Sequence, residues 1–573
     1  MRVSRLTIVG GGIAVWLCLV AWIVVLLPLA GIGTSTTLFV LCAVTGVLVT
    51  GCGVWMLARS ARERRLSAGV WWPALIAPVF GTVDTIRVGA GFGGTPAFAM
   101  RGDAAWNTAQ AAFIHREGGV DAATHPNPAP LMNTLMALAQ GPGADPSMVS
   151  VLRGNWIVLV SVACVASLLG GLVVARSSVG AAALVRAALC FAAGWLPFSG
   201  IFLGAAFVMG HFNSLIALVL LWCTWIVARD LRTPTAMRFA LLTVCCTAIA
   251  ATWAPLVVVP VALLVGCVAS AIRDRRGAAA MTALRPAHVA VALFGIAQVG
   301  CYGLFVSLPD LRRSGQALGA DGAALGISMD GALAILAVSV AAGVLLWGRT
   351  SEAREARGDL TVVGVLGAVM VATILVLVHQ RSGTADPWGY YPIKFFLLGS
   401  ALGVGVLVSV SGRIAARTRG FGRQIVIGVV VACPFFVLTL LPFAYQPQFA
   451  LWPAEFSRRL AQPGDQQAVE DLVRVADAQT GDGALFLHWN QTPAQDAAVN
   501  SYLIQLAVQT SDDPLRDFAY SYDYEGDGPL CDLLAQWGRP VDIYTRTEYR
   551  DSLSAVVATC APNEAVRILT DAP

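Results

Sequence analysis

The chain has 573 residues, of which 57% are hydrophobic and 13% charged, and its mean hydropathy is +0.70. So apolar a composition excludes a soluble globular protein and identifies a polytopic membrane protein. The formal net charge is only +4, and the basic residues fall in short clusters between apolar runs, which argues against nucleic-acid binding.

Apolar runs long enough, or nearly so, to cross a bilayer lie near 7–30, 36–58, 69–84, 152–175, 181–199, 212–228, 239–254, 256–272, 288–307, 330–348, 360–379, 395–412 and 424–445. The first follows a short basic start with no small-residue cleavage pattern, so it is expected to be a retained helix. The third is short, and the seventh and eighth are parted only at Trp253-Ala-Pro255. With the N-terminus inside, every inward segment is basic, as in Arg59–Arg65, Arg273–Arg285 and Arg413–Arg423. This is the positive-inside pattern, and an odd number of spans, thirteen here, puts the C-terminus outside. The expected protein sits in the plasma membrane, with residues 1–445 as a membrane module and 446–573 as a small exoplasmic α/β domain.

Two segments lie outside on this reading: a loop at 85–150 and the tail. In the loop, Asp103 precedes a stretch from Ala104 to His115 that suits a short surface helix with Trp106, Ala109 and Phe113 on one side. Aspartate is also a favoured N-cap, so Asp103 has a purely structural reading as well. After a glycine break comes His125-Pro-Asn-Pro128. Elsewhere, Asp84 and Arg87 are one turn apart and suit a pair, and Asp330 reads as an N-cap. His211 and Asn213, beside a Pro- and Gly-broken helix, read as structural, with the lining of a donor cavity as the alternative. In the tail, strands are expected at Ala484–His488, Val541–Tyr544, Ala555–Ala558 and Val566–Leu569, with helices at 466–478, 494–508 and 529–537. Eleven of the 13 cysteines lie in apolar runs; the other two, Cys531 and Cys560, are candidates for a disulfide in an oxidising compartment.

Of the 38 lysines and arginines, one alone is a lysine. It is Lys394, two residues after Pro392 and beside Tyr390 and Tyr391, where a short outward loop meets an apolar span. Lysine offers a compact ammonium where arginine offers a planar fork, so the two substitute poorly at a tight site. A snorkelling anchor is the plainer alternative for the lysine, as an aromatic belt is for the tyrosines. His379 and Arg381 bracket the same loop, and Arg312-Arg313 form a second outward cationic pair.

The acidic residue, short helix and His-Pro-Asn-Pro turn, just outside an early span, resemble the first long loop of the GT-C superfamily of polyprenyl-phosphate-sugar glycosyltransferases. The general layout, with its exoplasmic tail, looks most like the actinobacterial arabinofuranosyltransferases that build the cell wall. The resemblance implies an inverting transferase that moves a sugar, arabinofuranose among the candidates, from a lipid phosphate to a cell-envelope glycan. It implies Asp103 as the base that takes the acceptor's proton. Cations beside the leaving phosphate then fall to Lys394, with Arg312, Arg313, Arg381 and His379 as further choices. His125, Tyr390, Tyr391 and Trp106 are the expected substrate contacts. Many relatives carry two adjacent acidic residues, whereas Asp103 is followed by Ala104, which argues against a two-carboxylate metal site; assistance by a divalent cation stays open. Two other classes stay open too: a lipid-linked-glycan flippase, and a glycan polymerase or ligase with a lipid-diphosphate donor. A flippase is disfavoured because nearly all the charge lies at span ends, away from mid-membrane depth.

Overall fold

The computed structural model describes the chain apart from residues 1–2, 60–67, 91–102, 122–124, 126, 144–145, 231–232, 234, 276–285, 309–326, 351–353, 385, 446–462, 479–482, 509–512, 520–526, 561–565 and 572–573. The first helices are α1 Arg5–Leu29, α2 Ser35–Arg59, α3 Ala68–Ala90, α4 Ala104–Glu117, α5 Pro130–Ala139, α6 Met148–Ser177, α7 Ala183–Trp195 and α8 Ala205–Met209. They continue as α9 Phe212–Arg229, α10 Thr235–Trp253, α11 Val258–Arg275, α12 Pro286–Tyr302, α13 Met329–Trp347, α14 Arg354–Gln380, α15 Tyr390–Arg417 and α16 Phe421–Tyr445. Among the described residues, 10 helical stretches are long and apolar enough to cross a membrane.

Sequence reading counts thirteen spans, and the difference has three sources. Helix α3 exists, but Pro73, Pro78, Asp84 and Arg87 keep it out of the ten. Helices α10 and α11 form one apolar stretch, Thr235–Ala269, broken where Trp253 turns extended (φ −167°, ψ 102°) before Pro255. The ninth run appears only as a shorter apolar helix, Leu293–Ser307.

The most enclosed are α6, the α7–α8 stretch Ala183–Phe207, α9 and α15, and α2 and α14 are mostly exposed. Large apolar side chains such as Leu48, Trp55, Phe294 and Leu375 point outward, as a lipid-facing surface requires. Lipid tails are as apolar as leucine, so helices here associate through close packing more than through hydrophobic burial. Trp222 of α9 shows how. Its fully buried ring lies between α6 and α15, and a Cβ at Gly405 would come within 2.5 Å of it. That contact presses α15, which carries Lys394, against the centre of the bundle. At the opposite end of α15, Asp359 of α14 joins Arg229 of α9 and Arg413 of α15, the latter at 2.6 Å.

The tail holds α17 Pro463–Ala478, β1 Gly483–Phe486, α18 Pro493–Ala507, α19 Leu515–Phe518, α20 Asp527–Trp537, β2 Val541–Tyr544, α21 Arg550–Cys560 and β3 Val566–Leu569. The strands form a parallel sheet in the order β1-β2-β3, with Gly483 opposite Val541 and Val541 opposite Val566. The expected strand at Ala555–Ala558 is instead part of α21. Leu553 and Val557, four residues apart, are the buried pair, and the paired valines belong to a helical face. Cys531 of α20 and Cys560 of α21 form a disulfide, as their isolation from the apolar runs suggests. Asp330 is not the cap of α13: Ser328 is, accepting from the Gly331 amide at 3.1 Å. The Asp84–Arg87 pair is present at 3.4 Å.

The tail packs directly onto the loop helix. Asp477 of α17 accepts from the Met148 amide at the start of α6 (2.5 Å), and α18 lies along α4, with Tyr502 against Thr108. Helix α4 is therefore covered on several sides by α5, α6 and α18, and almost all its residues are buried; it is not the one-sided surface helix its sequence suggests.

Candidate active site

Asp103 precedes α4 at the N-cap position, but its side chain makes no capping bond. Its Oδ2 instead accepts from the Tyr390 hydroxyl at 2.5 Å. The structural reading of Asp103 as a cap therefore fails, and the carboxylate points across the bundle to α15.

Its backbone is held by a segment that the sequence marks only as broken helix. Helix α7 ends at Trp195, and a short 3-10 turn, Leu196–Phe198, with Pro197 at its centre follows. A π-helical turn, Gly200–Gly204, leads into α8; such turns recur at functional sites. Gly210 then closes α8 in the left-handed conformation (φ +74°), and the Met209 carbonyl accepts from the Asp103 amide at 3.1 Å. A Cβ at Gly210 would lie 2.1 Å from the Ala104 nitrogen, so only glycine fits. Asn107 locks the arrangement by donating to the carbonyls of Asp103 (2.8 Å) and Gly210 (3.1 Å), and Asn133 of α5 donates in turn to Asn107.

Lys394 is buried, with 5% of its surface exposed. Its Nζ donates to the Tyr390 hydroxyl at 2.8 Å and to Asn213 Oδ1 at 2.9 Å. Tyr390 and Lys394 are four apart on α15 and so share a face. Pro392, between them, is tolerated because first-turn amides have no helical partner. The ammonium also lies 4.9 Å from the Tyr390 ring centre and 5.4 Å from that of Trp253, where aromatic faces help hold a desolvated cation. Trp253 reaches it because α10 breaks at that residue. His211 meets the Tyr390 ring edge-on at 5.3 Å, and a cavity of about 10 Å³, about the size of one water, lies between His211, Ser214, Tyr390 and Lys394. An ammonium has three donors, so a third direction remains for a ligand oxygen.

Burial pushes the Asp103 carboxyl above its ordinary range, while the Lys394 charge and the Tyr390 hydroxyl pull it back. A half-buried carboxylate raised in this way suits a general base near neutral pH. Along α4, Trp106 and Gln110 fall on the same side as Asp103, three and seven residues on. Trp106 Nε1 and Gln110 Oε1 are buried and take no hydrogen bond among the described residues, a pattern that fits a polar ligand beside the carboxylate.

The other expected site residues divide. Tyr391 is half-buried; its ring meets Tyr390 edge-on at 4.9 Å and stacks with Trp253 at 6.3 Å, so it belongs to the cluster. Arg381 is buried near Tyr391, but its guanidinium donates to the Asp386 carbonyl at 3.1 Å and braces the loop that presents Tyr390. His379 is exposed at the end of α14. His125 lies apart. It stacks on Phe113 (3.8 Å), its Nδ1 meets Glu117 at 2.6 Å and its Nε2 faces the Val508 carbonyl at 3.4 Å, so it ties the loop to the tail. Arg312 and Arg313 lie outside the described residues. Sequence reading missed Gly210 and Trp253 as site residues and favoured a structural role for His211 and Asn213 over the lining of a donor cavity; the signal for the latter was Gly210-His-Phe-Asn213 directly after a Pro- and Gly-broken helix. Among the described residues, no group of three or more His, Cys, Asp or Glu side chains gathers as a metal site. No family model, curated protein or solved structure matches this chain.

Proposed function

We propose that this protein is a membrane glycosyltransferase that moves a sugar from a polyprenyl-phosphate donor to a cell-envelope glycan on the exoplasmic face of the plasma membrane. The observation that carries the reading is the meeting of Asp103 with Lys394 through a single phenol, residues 291 positions apart joined by bonds of 2.5 Å and 2.8 Å. Sugar transfer needs a base beside the acceptor hydroxyl and a positive charge beside the departing phosphate, and the two ends of this chain supply one of each. Asp103 takes the acceptor proton as the hydroxyl attacks the anomeric carbon. Lys394, at the end of a span where a lipid phosphate lies, stabilises the charge that grows on the leaving oxygen.

Two further observations support the outward orientation. The basic clusters lie on the opposite side of the sequence pattern from the loop and tail, and the Cys531–Cys560 disulfide suits an oxidising compartment. Nucleotide sugars are cytosolic, so an outward-facing site points to a lipid-linked donor. Arabinofuranose is the first sugar to test, following the resemblance to arabinofuranosyltransferases.

The test is transfer from decaprenyl-phosphate-arabinose to a synthetic glycan acceptor by purified full-length protein, wild type against Asp103→Asn. The expected result is product from wild type alone, with donor binding kept in the variant. Equal turnover by both would remove Asp103 as the base, and movement of intact lipid-linked sugar without a covalent product would replace the transferase with a flippase.

A further inference from the structure

We infer that Tyr390 is a proton relay that returns the proton captured by Asp103 to the departing lipid phosphate through Lys394. The inference rests on the transferase reading. Its starting point is that the hydrogen-bond directions in the chain are fixed by chemistry. An ammonium donates and has nothing to accept with, so across the 2.8 Å contact Lys394 gives and the Tyr390 oxygen takes. The phenol's one proton is then free only for Asp103 Oδ2, at 2.5 Å. At rest the order is Lys394 N–H to Tyr390 oxygen, and Tyr390 O–H to Asp103. This leaves Oδ1 as the oxygen that receives the acceptor's proton.

That capture creates a difficulty. After one turnover Asp103 is a neutral acid whose Oδ2 faces the Tyr390 phenol, itself only 7% exposed, and the new phosphate dianion, on the far side of Lys394, is the group that needs the proton. The same three groups resolve it. Lys394 gives an N–H proton to a phosphate oxygen. Rotation about the Cε–Nζ bond then brings the opened lone pair to the phenol, whose O–H turns from Asp103 to Nζ and passes its proton there. The Asp103 carboxyl, after a half-turn, gives its proton to the phenol oxygen. In balance, the acceptor's O–H bond and the bond from the anomeric carbon to the phosphate oxygen break, and the new glycosidic bond and a P–O–H bond form. Carboxylate, phenol and ammonium are all restored, and no outside reagent enters.

The neighbours are suited to holding the relay without short-circuiting it. Asn213 cannot titrate and fixes Nζ at 2.9 Å. Among the described residues, the titratable or charged groups near the phenol include Asp103, Lys394, the His211 ring edge-on at 5.3 Å and Tyr391 edge-on at 4.9 Å, with Arg381 acting on Tyr391. His211 and Tyr391 meet Tyr390 ring against ring, in edge-to-face contacts, while the hydrogen bonds of the phenol oxygen described above run to Asp103 and Lys394.

The experiment compares wild type with Tyr390→Phe in rapid-quench assays using decaprenyl-phosphate-arabinose, following the first turnover and the steady state separately. A relay predicts that the variant's steady-state rate falls at least tenfold more than its first turnover. It also predicts that small buffers such as imidazole restore that rate with rising concentration, while wild type ignores them. A loss that is equal in both phases and unmoved by buffer would overturn the relay and leave Tyr390 a positioning residue. An unaltered steady state would overturn it too. Should Tyr390→Phe unfold, 3,5-difluorotyrosine at 390 keeps the hydroxyl but makes it more acidic; it must then shift the pH profile of the steady state, and an unshifted profile refutes the relay. Wild type that transfers no sugar from any polyprenyl phosphate would instead refute the transferase reading itself.

Discussion

Removing the cation at position 394 measures the coupling on which the site depends. The bonds of 2.5 Å and 2.8 Å that join Asp103 to Lys394, laid end to end, keep the two charges within about 5 Å. At an effective dielectric of about 20, opposite charges at that distance attract by roughly 3 kcal/mol. Solvent at the half-buried Asp103 screens part of this attraction. Burial raises the Asp103 titration and the lysine charge opposes that rise, so Lys394→Met sends it further up. The base works ionised, and activity is lost as pH falls through its titration. The acid limb of the pH–rate profile in the methionine variant should therefore move to higher pH, on top of a lower maximum. Lys394→Arg keeps the charge and should leave the limb near its wild-type position, yet turn over more slowly, because a planar fork does not replace Nζ between Tyr390 and Asn213. The assay is sugar transfer across pH at saturating donor. Coincident limbs in wild type and Lys394→Met would refute the coupling.

Two further outcomes are expected. Gly210→Ala puts a methyl 2.1 Å from the Ala104 nitrogen and cannot keep its left-handed turn without strain, so turnover should fall at least about tenfold. The control is Gly403→Ala, in the helix of Lys394 but facing open space, which should retain activity; equal rates in the two variants would show that Gly210 does not set the position of Asp103. Cys560→Ser opens a loop of 29 residues in the tail, for which chain entropy predicts a loss of about 3.6 kcal/mol. Limited proteolysis in denaturant should find the tail cut earlier than in wild type, and unchanged proteolysis would deny the disulfide a stabilising role.

The likeness between sequence and structure is greatest where one-dimensional signals suffice. Apolar length identifies membrane-crossing helices because a bilayer leaves the backbone few other ways to satisfy its hydrogen bonds. The tail's β1, β2 and β3 and helices α17, α18 and α20 follow local patterns and appear where those patterns put them. Ala555–Ala558 departs because a short valine run has no period of its own, and packing beside α20 favours the helix. The prominence of Lys394 and of Asp103 was legible as well, from a residue type used once and from a charged residue beside a break.

What the sequence determined by itself was the membrane class, the basic and apolar alternation, and two candidate ends of a reaction site. Their meeting was decided by tertiary structure alone. Asp103 and Lys394 are joined only because Gly210 lets one backbone press on another and because α10 breaks at Trp253. Trp222 adds to this by wedging α15 against the core. The physical reason is that charge, length and periodicity are properties of neighbours along a chain. A hydrogen bond between residues 287 apart, such as that from Tyr390 to Asp103, depends on the packing of every helix in between.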